Sequence, residues 1–256
     1  MLQIDLGGKV AVISGGSRGI GAACVRMFAQ AGAKVVFSYQ KAADRAAQLV
    51  DEFGADRGFA VQADLNGTTG GERKLIAAAV ERFGRVDALV VNHGVWPSHD
   101  QSIDTMTEAQ WHNTISTNLD SAFLLVKHAV AQMKRQPEGG NVVLIASTAA
   151  QRGEAYHCDY AASKGALVSM VKGLSTELAS ANIRVNAVAP GWVETEMSAP
   201  VLKKPEVQEN ILRVIPLGRV GRPEEIAAPV VFLCSAHAGF ITGEIFNVNG
   251  GAVLVG

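Results

Sequence analysis

Three cysteines in 256 residues, Cys24, Cys158 and Cys234, are too few, too far apart and odd in number for a disulfide framework. They suit a reducing compartment, and a cytoplasmic location is the expectation. Neither sign of charge is in excess: 23 Lys and Arg stand against 24 Asp and Glu, a formal net charge of -1, with no basic stripe. That argues against nucleic acid as a partner. Uninterrupted apolar runs stay short of the ~18 residues of a spanning helix. Residues 1–8 carry an Asp where a secretory leader would be apolar, so no membrane partner and no signal segment are expected. The six histidines form no His-x-x-x-His pair and the cysteines no Cys-x-x-Cys pair, so no metal site is expected. No composition shift, linker or internal repeat divides the chain.

What is present is a globular composition, 48% apolar and 18% charged, in a chain long enough to bury a large core. Short apolar runs at residues 9–14, 34–39, 59–62, 87–92, 141–147, 184–189 and 244–248 read as seven strands. Helical patterns lie between them. Ile20, Cys24, Met27, Phe28 and Ala31 share one helix face, and Gly32 stops that helix. Thr69 to Glu72 and Thr107 to Gln110 have capping-box spacing, the first opening a helix to Gly84 and the second a long helix to about Gln136. Pro223, followed by Glu224 and Glu225, opens another. Residues 191–222 read as long, irregular and lid-like. The strand runs lack period-two alternation, as expected of a parallel sheet covered on both faces. The expected fold is a single α/β domain over residues 1–256, doubly wound around a parallel seven-stranded sheet.

Gly15-Gly16-Ser17-Arg18-Gly19-Ile20-Gly21 lies between the first strand and its helix. Glycines there let backbone amides approach a pyrophosphate at a helix N-terminus, where the dipole favours anions. A dinucleotide site is the favoured reading. Tyr160 and Lys164 stand four apart, on one helix face. An ammonium beside a phenol lowers the phenol pKa, and such a pair can give and take a proton during carbonyl–alcohol interconversion.

These pieces, in order with Asp64, Asn92-His93-Gly94, Asn118, Ser147, Pro190 to Thr195 and Asn247 to Gly251, resemble the short-chain dehydrogenase/reductase family over nearly the whole chain. The resemblance implies a Rossmann-type fold and a Ser147, Tyr160, Lys164, Asn118 catalytic set. Ser147 would hold the substrate oxygen and Tyr160 would protonate it. Lys164 would also bind the nicotinamide ribose, and Asn118 would hold a relay water. Asp64 and Leu65 would meet the adenine, and Asn92 and Gly94 would line the cofactor's path. Pro190, Gly191, Val193 and Thr195 would meet the carboxamide end. His93 replaces the family's usual Ala. The likeness is greatest to 3-oxoacyl-[acyl-carrier-protein] reductases, but Ser180-Ala181-Asn182 stands where those enzymes often carry an Arg. Trp96, Tyr156 and Trp192 suit a compact aromatic pocket, which keeps an alcohol, sugar or polyol dehydrogenase open. A non-catalytic dinucleotide sensor is a third reading.

The second strand ends Phe37-Ser38-Tyr39 with no carboxylate. An NAD site usually has one there for the ribose hydroxyls. Tyr39 stands in that place and repels no phosphate, while Arg18 and Lys41 could reach a 2′-phosphate and Ser38 add a hydroxyl, so NADP is expected, with NAD possible. A small-molecule ketone or alcohol substrate and a homotetramer complete the expectations.

Overall fold

The computed structural model describes residues 3–255. Its strands are β1 (Val10–Ile13), β2 (Lys34–Tyr39), β3 (Gly58–Gln62), β4 (Ala88–Val91), β5 (Gly140–Ile145), β6 (Ile183–Pro190) and β7 (Ile245–Val248). They form one all-parallel sheet in the order β3-β2-β1-β4-β5-β6-β7. The helices are α1 (Gly19–Gln30), α2 (Ala43–Asp51), α3 (Gly71–Phe83), α4 (Glu108–Ile115), α5 (Ser121–Met133), α6 (Ala149–Arg152), α7 (Cys158–Leu178), α8 (Ala199–Leu202), α9 (Pro205–Arg213) and α10 (Pro223–Leu233). None is long and apolar enough to cross a membrane.

Each strand feeds two cores. From β1, Ala11 and Ile13 join Cys24 and Phe28 of α1 and Val230 of α10. Val10 and Val12 join Leu75 of α3, Leu125 of α5 and Leu167 of α7 on the other face. Both faces of the strand are therefore apolar, which is why its sequence shows no polar alternation. The chain leaves β1 toward β2 on one side and reaches β4 on the other. That reversal opens a crevice beyond the carboxyl ends of the central strands.

Three expectations need correction. The Thr69–Glu72 motif does not cap α3. Its N-cap is Gly70, while Thr69 Oγ1 donates to the Asp64 carbonyl (2.7 Å) and Glu72 Oε1 accepts from the Gly67 N–H (2.9 Å). Those side chains fold the preceding loop instead. Thr107 does cap α4, accepting from the Gln110 N–H at 3.1 Å. The long helix expected after it is interrupted, because Ser116–Asp120 forms a π-turn between α4 and α5. Residues 191–222 are irregular only in part. They hold α8 and α9, and Val193 bridges Gly221 to close the segment on itself.

Candidate active site

The turn after β1 is built by what its glycines permit. Gly15 has φ +65°, a conformation costly for a side chain. Its N–H donates to Ser38 Oγ (2.9 Å), and the Gly16 N–H to the Ser38 carbonyl (2.8 Å). Asn92 Nδ2 donates to the Ser14 and Gly15 carbonyls, each at 3.1 Å. A Cβ on Gly21 would run into the Gly15 carbonyl oxygen, and one on Gly16 into the Phe37 ring. The loop is thus held tight against the start of α1, whose N-terminus favours an anion. Ser38 and Asn92 act here as braces of the loop. Gly21 stands behind the loop, outside the lining of the crevice.

One cleft of about 650 Å³ follows the strand ends. Over β1 to β3 it is lined by Ser17, Arg18, Gly19, Ile20, Tyr39, Lys41, Asp64 and Leu65. Over β4 to β6 it is lined by Gly94, Ser147, Tyr160, Lys164, Pro190, Gly191, Val193 and Thr195, with Trp96 and Trp192 beside them. Residues scattered along the sequence therefore share one crevice. Both Asp64 oxygens are engaged, with Gln40 Nε2 at 2.7 Å and Asn66 Nδ2 at 3.0 Å. Tyr156 does not join the pocket. It adopts φ +64°, is 57% exposed and lies outside the lining.

Tyr160 is set in place by the residue before it. Asp159 is fully buried at the start of α7. Its Oδ2 accepts from Thr114 Oγ1 (2.8 Å) and Gln110 Nε2 (3.2 Å) on α4, and its Oδ1 from the Tyr160 N–H (2.9 Å). One turn on, Lys164 Nζ donates to the Ile145 carbonyl (2.8 Å) and lies 5.8 Å from the Tyr160 ring centre. Burial governs both groups. It pushes the Tyr160 hydroxyl up to about 12, the nearby Ser147 hydroxyl opposing the rise and Glu154 adding to it. It pulls Lys164 down to about 8. The expected lowering of the Tyr160 pKa by Lys164 is not seen: desolvation of the phenolate is the largest cause, and Lys164 is not among the groups that shift it. What the pair offers is a protonated phenol beside a hydroxyl, an arrangement fit to give a proton to a carbonyl oxygen.

Asn118 lies behind this pair and is 1% exposed. Its Oδ1 accepts from the Val95 N–H (2.8 Å), while Nδ2 donates to the Val95 carbonyl (3.0 Å) and to Ser163 Oγ (3.1 Å). The side chain is fully engaged and does not line the cleft. A Cβ on Gly94 would sit 3.0 Å from Asn118 Oδ1, a tight contact to which Asn118 would have to yield, and 3.6 Å from Lys164 Nζ. His93 ties the two sides together. Its Nδ1 is 2.8 Å from Ser14 Oγ and its Nε2 2.7 Å from Ser121 Oγ, at the end of the π-turn. Burial pulls it down to about 3, the Lys164 charge adding to the fall, so the ring is neutral.

Other functional residues carry no local sequence signal. Glu196, after β6, reaches back across the cleft mouth to Arg18 Nη1 (3.1 Å) and to Arg45 of α2. Glu154 lines the cleft near Tyr160 and accepts from Trp96 Nε1 (3.2 Å). Among the described residues no group of three or more His, Cys, Asp or Glu could hold a metal ion.

A family model described as Enoyl-(Acyl carrier protein) reductase matches residues 15–253. The chain is 38% identical over 256 residues to an L-rhamnose 1-dehydrogenase (NAD(P)(+)) of Azotobacter vinelandii, covering 98% of each chain. It is 36% identical over 248 residues to the 3-oxoacyl-[acyl-carrier-protein] reductase FabG of Escherichia coli, covering 97% of this chain and 98% of that one. A crystal structure from Brucella melitensis, titled short-chain dehydrogenase/reductase SDR:glucose/ribitol dehydrogenase, superposes with a TM-score of 0.91 at 36% identity. That match covers 99% of this chain and 100% of the other.

Proposed function

Because the chain belongs to the short-chain dehydrogenase/reductase family, we propose that it is an NADP(H)-dependent oxidoreductase interconverting a ketone and a secondary alcohol. The carrying observation is that Ser147, Tyr160 and Lys164 meet at the strand ends, in the same cleft as the glycine loop. The loop fits a dinucleotide: a Cβ at Gly16 would meet Phe37 and one at Gly21 the Gly15 carbonyl, so the turn stays tight against the N-terminus of α1, where Arg18 is the N-cap. When bound, the cofactor supplies or accepts the hydride. Ser147 orients the substrate oxygen and Tyr160 donates its proton in reduction, taking one back in oxidation. Lys164 holds the ribose hydroxyls, while the Asn118 side chain, taken up by Val95 and Ser163, has no free group for the relay water expected of it. The test is oxidation of NADPH against a panel of small ketones and a 3-oxoacyl thioester. No turnover with any of them would leave a dinucleotide-binding protein without catalysis.

NADP over NAD rests on Tyr39 at the end of β2, with Lys41 and Arg18 lining the same part of the cleft. One charge-assisted bond to a 2′-phosphate contributes about 1.5–3 kcal/mol, a roughly ten- to hundredfold preference. Tyr39→Asp should therefore invert or erase the NADPH:NADH ratio of kcat/KM. A wild type favouring NADH, or a ratio unmoved by the substitution, would place the choice elsewhere.

Glu196 competes for that same cation. Glu196→Gln should tighten NADPH several-fold and NADH less, read by fluorescence titration, because Arg18 is then released to the phosphate. Weaker NADPH binding would mean that Glu196 serves the closed segment instead.

The oligomer proposed is a homotetramer, with α4 to α5 and α7 against their mates. Phe123 of α5 is 50% exposed, which favours a covered helix face. Sedimentation at micromolar concentration should give four copies, and a monomer would refute this. Three free cysteines, two of them buried, support a reducing, cytoplasmic setting.

A further inference from the structure

Glu154 is a carboxylate for which hydride transfer has no use, yet it lines the cleft beside the reacting groups. Its place is built from several sides. Trp96 Nε1 donates to Oε1 at 3.2 Å. Trp96 in turn stacks on His157, ring centres 4.9 Å apart and planes 14° from parallel. His157 is buried, and its Nε2 donates to the Pro97 carbonyl at 2.7 Å. Trp192 meets Trp96 edge-on, centres 5.9 Å apart. The loops after β4, β5 and β6 thus combine into one aromatic wall that holds a carboxylate.

Among the described residues, Trp96 alone donates a hydrogen bond to the Glu154 carboxylate, and Glu154 Oε2 has no protein donor. Arg152 also lines the cleft but makes no ion pair with it. Burial raises the Glu154 pKa above the ordinary carboxylate range, opposed by His157, Trp96 and Arg152. Seating a plain alkyl chain against such a group would remove its water and return no donor. A hydroxyl on the substrate would return one.

We propose that Glu154 accepts a hydrogen bond from a substrate hydroxyl next to the reacting carbon, and that the substrates are polyhydroxylated compounds of the sugar or polyol class. Two further features agree. Trp96 and Trp192 give electron-rich ring surface to the C–H bonds of a carbohydrate, which its oxygens polarise. Asn113, on α4, adds an amide to the same lining. This rests on the oxidoreductase reading above and names its substrate class.

A site built to bond a hydroxyl discriminates strongly against the analogue lacking it, in favourable cases by roughly ten-thousandfold. The experiment compares kcat/KM with NADP for matched pairs: a vicinal cyclohexanediol with cyclohexanol, and an aldohexose with its deoxy analogue. Wild type should prefer the hydroxylated member by about a hundredfold or more. Glu154→Leu should bring that ratio near one, and Glu154→Gln, which keeps an acceptor, should retain part of it. Taken within each enzyme, the ratio cancels any general loss of activity, and the Gln variant serves if the Leu variant does not fold. An unchanged ratio in Glu154→Leu overturns the proposal, as does a 3-oxoacyl thioester outperforming every hydroxylated ketone. If wild type turns over nothing, the oxidoreductase reading fails separately. Calorimetric titration of the diol into the NADP-saturated chain then decides. Saturable heat lost in Glu154→Leu supports the hydroxyl site, and heat absent from wild type or unchanged in the variant overturns it.

Discussion

Tyr160→Phe is expected to lower kcat for ketone reduction by about a hundred- to ten-thousandfold, the usual contribution of a positioned general acid. The dissociation constant for NADPH should move little. The substitution removes one oxygen and leaves the ring, so the packing around α7 is kept. Lys164, Ser147 and His93 are not placed to replace the proton. Lys164 Nζ is turned to the Ile145 carbonyl, and Ser147 Oγ accepts from the Ala149 N–H at 3.1 Å. His93 is neutral, with both ring nitrogens at serine hydroxyls. Steady-state kinetics with a fluorescence titration of the same preparation provides the measurement. Turnover within a few fold of wild type would remove Tyr160 from the mechanism.

The two reaction directions are expected to differ sharply in pH dependence. Reduction draws on the protonated phenol, which burial holds up to about 12. Its rate should be flat through neutrality and fall only when the medium is strongly alkaline. Oxidation draws on the phenolate, scarce at neutral pH. Its kcat/KM should rise nearly tenfold for each pH unit, since each unit below the pKa lowers the ionised fraction about tenfold. Initial rates in both directions on one pH series would check this. Oxidation that is level or declines between about pH 6 and pH 8 would contradict a phenolate base.

Much of this architecture could be read from the chain because its signals are local. The seven strands announce themselves as apolar runs closed by polar or glycine residues, and both faces being buried explains their uniformity. The glycine loop, Tyr160 and Lys164 were legible for the same reason. The errors arose where partners are distant or the backbone departs from a regular repeat. Thr69 and Glu72 have capping spacing, but their side chains find Asp64 and Gly67 first. Helix α9 is nine residues behind a Pro, too short to stand out in a segment rich in charge. Tyr156 looks like a pocket aromatic until its left-handed backbone turns it to the surface. Asp159, Glu154 and Glu196 take their meaning from residues 45 to 178 positions away. Glu154 is the instructive case, since Trp96 was legible as a pocket residue and its acidic partner was not.

The π-turn at Ser116–Asp120 makes the spacing between α4 and α5 a matter of residue count. A π-turn accommodates a residue more than the regular ladder would, and an α-helix turns about 100° per residue. Deleting one residue there would restore an unbroken helix and swing everything before it by that angle relative to α5. Thr114 would leave Asp159. Substitutions along this stretch can be absorbed one at a time, whereas its length cannot change without separating the anchor of Tyr160 from the floor of the site.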